Sequence, residues 1–214
     1  MRRARLLLTA VLLLPALPSQ AVAAPPNCLG RRATMVGTPS ADVLNGTARD
    51  DVIVAKAGDD TIDGRGGNDR ICGGKGLDGL SGGAGADRLD GGKGSDTMQG
   101  GDGVDTASFA DARSGIQVNL ENGAATGQGF DSLTAVESAI GSATKVNHLW
   151  GDAGANTLTG GAAYDYLDGA DGDDRLNGLD GGDELVGGGG TDALNGGAGN
   201  DECSGGESST ACEG

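Results

Sequence analysis

The sequence predicts an all-β fold: a right-handed parallel β-roll, or β-solenoid, of nonapeptide repeats in two blocks joined by a β-rich insert. Three observations carry this prediction. Residues 73–108 read as four tandem nines, GGKGLDGLS, GGAGADRLD, GGKGSDTMQ and GGDGVDTAS, all in one phase. Glycine recurs at places one, two and four, aspartate at place six and an apolar residue at place eight (Leu80, Leu89, Met98, Ala107). The same phase then extends in both directions from this stretch. Composition agrees: of 214 residues 44 are glycine and only five are aromatic, Phe109, Phe130, Trp150, Tyr164 and Tyr166, too few large side chains for an ordinary globule. A glycine-rich chain of low complexity would be expected to stay disordered, but a strict period of nine opposes that, and glycine does not fall at every third place as collagen requires.

Taken in order, residues 1–23 have the layout of a secretory signal peptide. Arg2, Arg3 and Arg5 form a positive start, Leu6 to Leu14 an apolar centre, and Ala21-Val22-Ala23 a small-x-small cleavage pattern. The apolar run is broken by Pro15 and Pro18 and is too short to span a bilayer, and no second apolar segment follows. A secreted, extracellular protein without a membrane span is therefore expected. Residues 24–36 form an N-terminal cap segment.

The first repeat block covers 37–108. Its sixth places are Asp42, Asp51, Asp60, Asp69, Asp78, Asp87, Asp96 and Asp105, and its eighth places are Leu44, Ile53, Ile62, Ile71, Leu80, Leu89, Met98 and Ala107. Ser40 and Arg49 stand at fourth places in the outermost copies, as terminal repeats commonly vary. Residues 109–141 break the period. Ile116, Val118 and Leu120 alternate with polar residues as in a half-buried strand, Asn122-Gly123 reads as a turn, and Leu133, Val136 and Ile140 read as re-entry into a core. This insert is expected to pack on the roll. A second block covers 142–204, with sixth places Asn147, Asn156, Asp165, Asp174, Asp183, Asp192 and Asp201 and eighth places from Leu149 to Leu194, then Cys203. Residues 205–214 are expected to be a C-terminal cap, a last nine with Thr210 at place six.

The repeat has a chemical reading. Each nine divides into a six-residue turn and a short strand whose eighth side chain points inward. Glycines let the turn backbone visit φ > 0 and expose its carbonyls. Two nines make one circuit, so residues 18 apart stack on rungs about 4.8 Å apart. Asp60 then stacks on Asp78, Asp69 on Asp87, and Asp165 on Asp183. Hard oxygens at this spacing suit a calcium ion, which takes six to eight of them. The expected metal ligands are Asp51, Asp60, Asp69, Asp78, Asp87, Asp96 and Asp105 in the first block, and Asp165, Asp174, Asp183, Asp192 and Asp201 in the second. The net charge of −16 opposes nucleic-acid binding and favours cations. Solubility would explain scattered acids, but not acids held to one place in nine.

These repeats resemble the RTX family, also called hemolysin-type calcium-binding repeats, over 37–108 and about 142–204. The resemblance implies calcium ions between successive turns, held by the sixth-place aspartates and turn carbonyls. Asn147, Asn156 and Ala163 depart from its pattern. The thin aliphatic ladder is too small to offset the entropy of so much glycine, so folding is expected to depend on calcium.

Four cysteines in an exported chain favour two disulfides. Three pairings are open; Cys28–Cys72 with Cys203–Cys212 is preferred because each bond would fasten one end of the array. Cys203 and a Cys212 at place eight would face across the core, so the latter bond requires the last repeat to collapse inward. The chain has no HExxH helix, GxSxG elbow or P-loop lysine, and its single histidine, His148, sits in a degenerate repeat, so no catalytic residues are expected. The reading is a non-enzymatic calcium-binding protein. The alternative is an extracellular adhesin or carbohydrate-acting protein, with a cell-surface or polysaccharide partner on the insert or the flat faces.

Overall fold

In the computed structural model, which describes residues 26–212, every eighth-place side chain from Ile53 to Leu194 is buried at 0–2% exposure. Side chains on either side of it point outward, as strand alternation requires. One inward aliphatic per nine residues builds a single file of core, and the backbone coils around it. Successive strands alternate between a ten-stranded and an eleven-stranded sheet. Within each repeat block, neighbours in each sheet are parallel with a register of 18: Ile53 pairs with Ile71 and Ile71 with Leu89, while on the other sheet Ile62 pairs with Leu80 and Leu80 with Met98. The described residues contain no helix. None of them forms a helix long and apolar enough to cross a membrane. The expected signal peptide, 1–23, lies outside the described residues.

The turns are shorter than the six residues expected. In the best-kept copies the strands run six residues, Arg70–Lys75, Gly79–Ala84, Arg88–Lys93 and Thr97–Asp102. They pass through places one to three of the next nine, where Gly74 pairs with Gly92 and Lys75 with Lys93. Only places four to six are left to reverse the chain. Gly74, at φ +117°, shows why place two favours glycine: a β-carbon there would stand 2.1 Å from the Lys56 carbonyl oxygen.

The insert does not lie on the outside of the roll. It enters the sheets. Gln117–Asn119 and Ala124–Thr126 form an antiparallel hairpin around the Asn122-Gly123 turn, and Phe130–Thr134 pairs antiparallel with the second of these strands. At its two edges this three-stranded unit joins the sheet in parallel, Phe130–Thr134 to Thr97–Asp102 and Gln117–Asn119 to His148–Trp150. Leu133, Ala125, Val118 and Leu149 are buried in one cluster with the ladders of both blocks, so the apolar core crosses the insert. Ile116, Val118, Leu120, Leu133 and Val136 are buried as expected, but Ala139 takes the inward place expected of Ile140. Register decides this: Ala139 pairs with Ala107 on one side and Leu158 on the other.

Both ends are fastened. Asn27–Cys28 and Arg31–Arg32 form a small antiparallel hairpin, tied to the roll by Cys28–Cys72 with Cα atoms 5.8 Å apart. At the other end Cys203–Cys212 closes with Cα atoms 5.7 Å apart. The last copy is three residues shorter than a full nine. Ser208–Thr210 pairs with Ala193–Asn195, so Glu207, not Thr210, occupies place six and Ser209 occupies place eight. Cys212 falls beyond the strand instead of across the core, which brings it within reach of Cys203.

Candidate metal centres

The sixth-place aspartates form two files along the roll, one for each line of turns. Asp60, Asp69, Asp78, Asp87, Asp96, Asp105, Asp165, Asp174, Asp183, Asp192 and Asp201 are all buried, and Asp51 is half-buried. Each rung is bonded to the next by the same contact. The backbone N–H of one sixth-place residue donates to Oδ1 of the aspartate 18 residues on, as from Asp60 to Asp78 and from Asp69 to Asp87. From Asp42 to Asp105, and from Asn156 to Asp201, these distances are 2.7–3.0 Å. The stacking expected at a spacing of 18 is present, but from Asp60 onward one oxygen of each sixth-place carboxylate is committed to the backbone ladder.

The second oxygen divides the turns into two kinds. Oδ2 is buried without any hydrogen-bond partner in Asp60, Asp69, Asp78, Asp87, Asp96, Asp105, Asp174, Asp183, Asp192 and Asp201. In every one of these ten turns the fourth place is a glycine at positive φ, from Gly67 at +104° to Gly199 at +148°. Where another residue stands at place four, the turn closes on its own carboxylate. Asp42 and Asp51, with Ser40 and Arg49 at place four, accept the N–H and hydroxyl of Thr38 and of Thr47 on Oδ2. Asp165, with Ala163 at place four, accepts the Gly161 N–H on Oδ2 at 2.5 Å. A β-carbon disfavours positive φ, so these turns take the other conformation and aim the second-place N–H at the aspartate. Asp51 and Asp165, expected as metal ligands with the rest, thus stand in closed turns.

The asparagines close their turns in a similar way. Asn147 Oδ1 accepts the Ser142 N–H, and its Nδ2 donates to the Ser142 and Lys145 carbonyls and to Asp165 Oδ1. Asn156 Oδ1 accepts the Asp152 N–H.

A buried carboxylate oxygen with no donor is costly, and a hard cation is a partner that can satisfy a whole file of them. The surroundings fit such an ion. Oδ2 lies against the first-place glycine of its own turn together with the first-place carbonyl of the next rung. A β-carbon on Gly73 would meet Asp78 Oδ2 at 2.5 Å and the Gly91 carbonyl oxygen at 2.8 Å. Gly64 is bounded likewise by Asp69 Oδ2 and the Gly82 carbonyl, and Gly178 by Asp183 Oδ2 and the Gly196 carbonyl. No group of three or more His, Cys, Asp or Glu side chains gathers as a metal cluster among the described residues, so carbonyl oxygens must make up the donor set. Oxygen-only donors of this kind suit Ca²⁺.

Electrostatics agree. Burial, reinforced by carboxylates on neighbouring rungs, pushes Asp69, Asp78, Asp174 and Asp183 up to about 6 against the opposing pull of the backbone N–H bond. Burial also raises Asp87, Asp96, Asp105 and Asp165. Without a cation the files hold more negative charge than they comfortably can.

Three acids missed by the repeat count cap these files. Asp131, itself buried, accepts the Asp96 N–H at 2.9 Å, Glu137 accepts the Asp105 N–H at 2.8 Å, and Glu207 accepts the Asp192 N–H at 2.6 Å. Each stands at place six of its rung by register; the Asp131 rung keeps Gly127 and Gly129 at places two and four, the Glu207 rung keeps Gly205 at place four, and the Glu137 rung has no glycine. The surviving signal was the spacing Asp131-x-Leu133 and Glu137-x-Ala139, an acid two residues before an inward side chain.

A search of curated proteins returns no match. The family model for the RTX calcium-binding nonapeptide repeat matches residues 36–71, 45–80, 73–107, 150–185 and 177–208, more than half of the chain. These stretches contain all ten open turns, and nonapeptides of this family bind Ca²⁺. With stacked aspartates, orphaned oxygens and glycine turns in the family's own phase, the chain belongs to the RTX calcium-binding nonapeptide repeat family.

Proposed function

We propose that this chain is a secreted, non-enzymatic calcium-binding protein whose folding is coupled to the ion. The proposed ligands are the ten aspartates of the open turns, each through Oδ2, with turn carbonyls completing the set. Asp51 and Asp165, in closed turns, are proposed to be bystanders. On this reading residues 37–108 and 142–204 hold the metal, 109–141 joins them, and 24–36 and 205–214 are caps. The observation that carries the proposal is the match between ten buried, unpartnered Oδ2 atoms and ten fourth-place glycines at positive φ. Export is supported by the layout of residues 1–23 and by two disulfides, which persist in oxidising compartments. Coupling is supported by the files of buried like charges, which repel until a cation enters. A calcium titration followed by far-ultraviolet dichroism, with stoichiometry from calorimetry, tests it. The β signal is expected to rise with calcium and to be lost in chelator. A full β signal in chelator would sink the coupling.

A second reading, an extracellular adhesin or carbohydrate-acting protein with the roll as scaffold, has one observation in its favour. His148, Trp150 and Tyr166 cluster on the outer face of the eleven-stranded sheet with ring centroids 5.7–6.1 Å apart. Beside Trp150 lies a groove of about 280 Å³ lined by the amides of Gln117, Asn119 and Asn122. Flat rings next to amides offer a stacking surface and hydrogen bonds to a sugar. Trp150 is the chain's one tryptophan, so its fluorescence reports this face alone. On this reading a polysaccharide panel shifts the emission and Trp150→Ala abolishes binding; no shift across the panel discards it.

A further inference from the structure

In a chain of net charge −16, four arginines converge on one cavity of about 460 Å³. Arg70 and Arg88 occupy seventh places on adjacent strands of the ten-stranded sheet and pair in register, side by side on its outer face. Arg31 and Arg32 come from the N-terminal hairpin, which the Cys28–Cys72 bond holds against the same face: Cys72 and Arg70 are both outward positions of one strand. Arg70 Nη1 donates to the Leu29 carbonyl at the hairpin's turn, at 2.5 Å.

Two features of this cluster are unfavourable as it stands. Like charges directly opposed on neighbouring strands repel. Arg88 Nε is also buried with no hydrogen-bond partner. Burial and the adjacent Arg70 both lower the Arg88 pKa. The acids lining the cavity hold other partners. Asp50 accepts the Asn68 N–H. Asp51 accepts Thr34 Oγ1 on one oxygen and Thr47 on the other. Asp69 accepts the Asp51 N–H and turns its second oxygen toward the Gly64 turn.

We propose that this cavity binds a small ligand through an oxyanion, a sulfate, phosphate ester or carboxylate, seated between Arg70 and Arg88 and covered by Arg31 and Arg32. The planar guanidinium fork matches such oxyanions, and one oxyanion relieves both the repulsion and the orphaned N–H. The volume falls in the range of small-molecule sites and leaves room for a group the size of a monosaccharide beyond the anion. The hairpin, held by the disulfide, thus forms one wall of a binding site as well as an end cap. The inference stands independently of which turns hold calcium.

Calorimetric titration of the full calcium-loaded chain with sodium sulfate, glucose 6-sulfate, glucose 6-phosphate and glucuronate tests it and separates the three anion chemistries. Saturable binding of at least one probe at one site per chain is expected. Arg88→Gln and Arg70→Gln should each weaken it about tenfold or more, the loss of a charge-assisted hydrogen bond. Arg175→Gln, at a seventh place in the second block, should leave it unchanged. An Arg31→Gln, Arg32→Gln double variant alters only the exposed hairpin and should also weaken binding, which keeps the test open if Arg88→Gln does not fold. Absence of saturable binding by all four probes, or parental affinity in the variants that fold, overturns the proposal.

Discussion

An aspartate at place six carries two oxygens with different duties. Oδ1 takes the N–H of the preceding rung and is part of the scaffold; Oδ2 is left to whatever place four allows. In the aspartate turns the residue that decides therefore stands at place four, two residues before the acid and remote from it in chemistry though not in space. This yields a contrast between two aspartates that look alike in the alignment of repeats. Asp78→Asn, in an open turn bounded by Gly76, is expected to lower calcium stoichiometry by at least one. Asp51→Asn, in a turn closed by Thr47, is expected to leave stoichiometry at the parental value, because its Oδ2 is already engaged. Calorimetric stoichiometry of the two variants checks this, and equal losses would show that closed turns reopen on binding. The acids themselves were legible as a period of nine. The open and closed states were not, because Ser40, Arg49 and Ala163 act through backbone φ, which a repeat count registers only as a missing glycine.

At the scale of the element, the insert is a splice. It carries the ladder from one block to the other by adding an antiparallel hairpin inside a parallel sheet. Its strands were readable from Ile116, Val118, Leu120 and the Asn122-Gly123 turn. Their place inside the sheet was not, since alternation marks a strand without saying which neighbour it pairs with. Asp131 is the joint on which the splice depends: it holds the buried Asp96 N–H at the rung where the roll passes into the insert. Asp131→Ala removes that acceptor and leaves a buried donor unpaired, a cost of roughly 1–3 kcal/mol. In a chain of this size that corresponds to a fall of about 2–12 °C in the melting temperature of the calcium-loaded protein. Asp131→Asn keeps an acceptor at the same place and is expected to recover most of the loss. Thermal melts of the two variants in saturating calcium decide it; equal melting temperatures for parent and Asp131→Ala would remove the joint from the account.

Over the whole molecule, two files of buried carboxylates flank one thin apolar ladder, and protons compete with calcium for the same oxygens. Asp69, Asp78, Asp174 and Asp183 are pushed up to about 6 in the metal-free fold, mainly by burial. In the unfolded chain they titrate near 3.9. Between about pH 4 and pH 6 the folded state thus binds more protons than the unfolded state, so stability falls as pH rises through this window. The contribution is fully present below about pH 4 and is lost above about pH 6. Acid therefore partly replaces calcium. In chelator, far-ultraviolet dichroism is expected to show more β structure at pH 5 than at pH 7.5, the reverse of the behaviour of a protein held by salt-bridged carboxylates. With calcium present the sign changes: cation binding expels these protons, so the calcium midpoint should move to higher concentration as pH drops below 6. Both arms come from the same oxygens and must move together. A chelated chain whose β content is equal at the two pH values, or greater at pH 7.5, would mean that the buried files do not govern the fold.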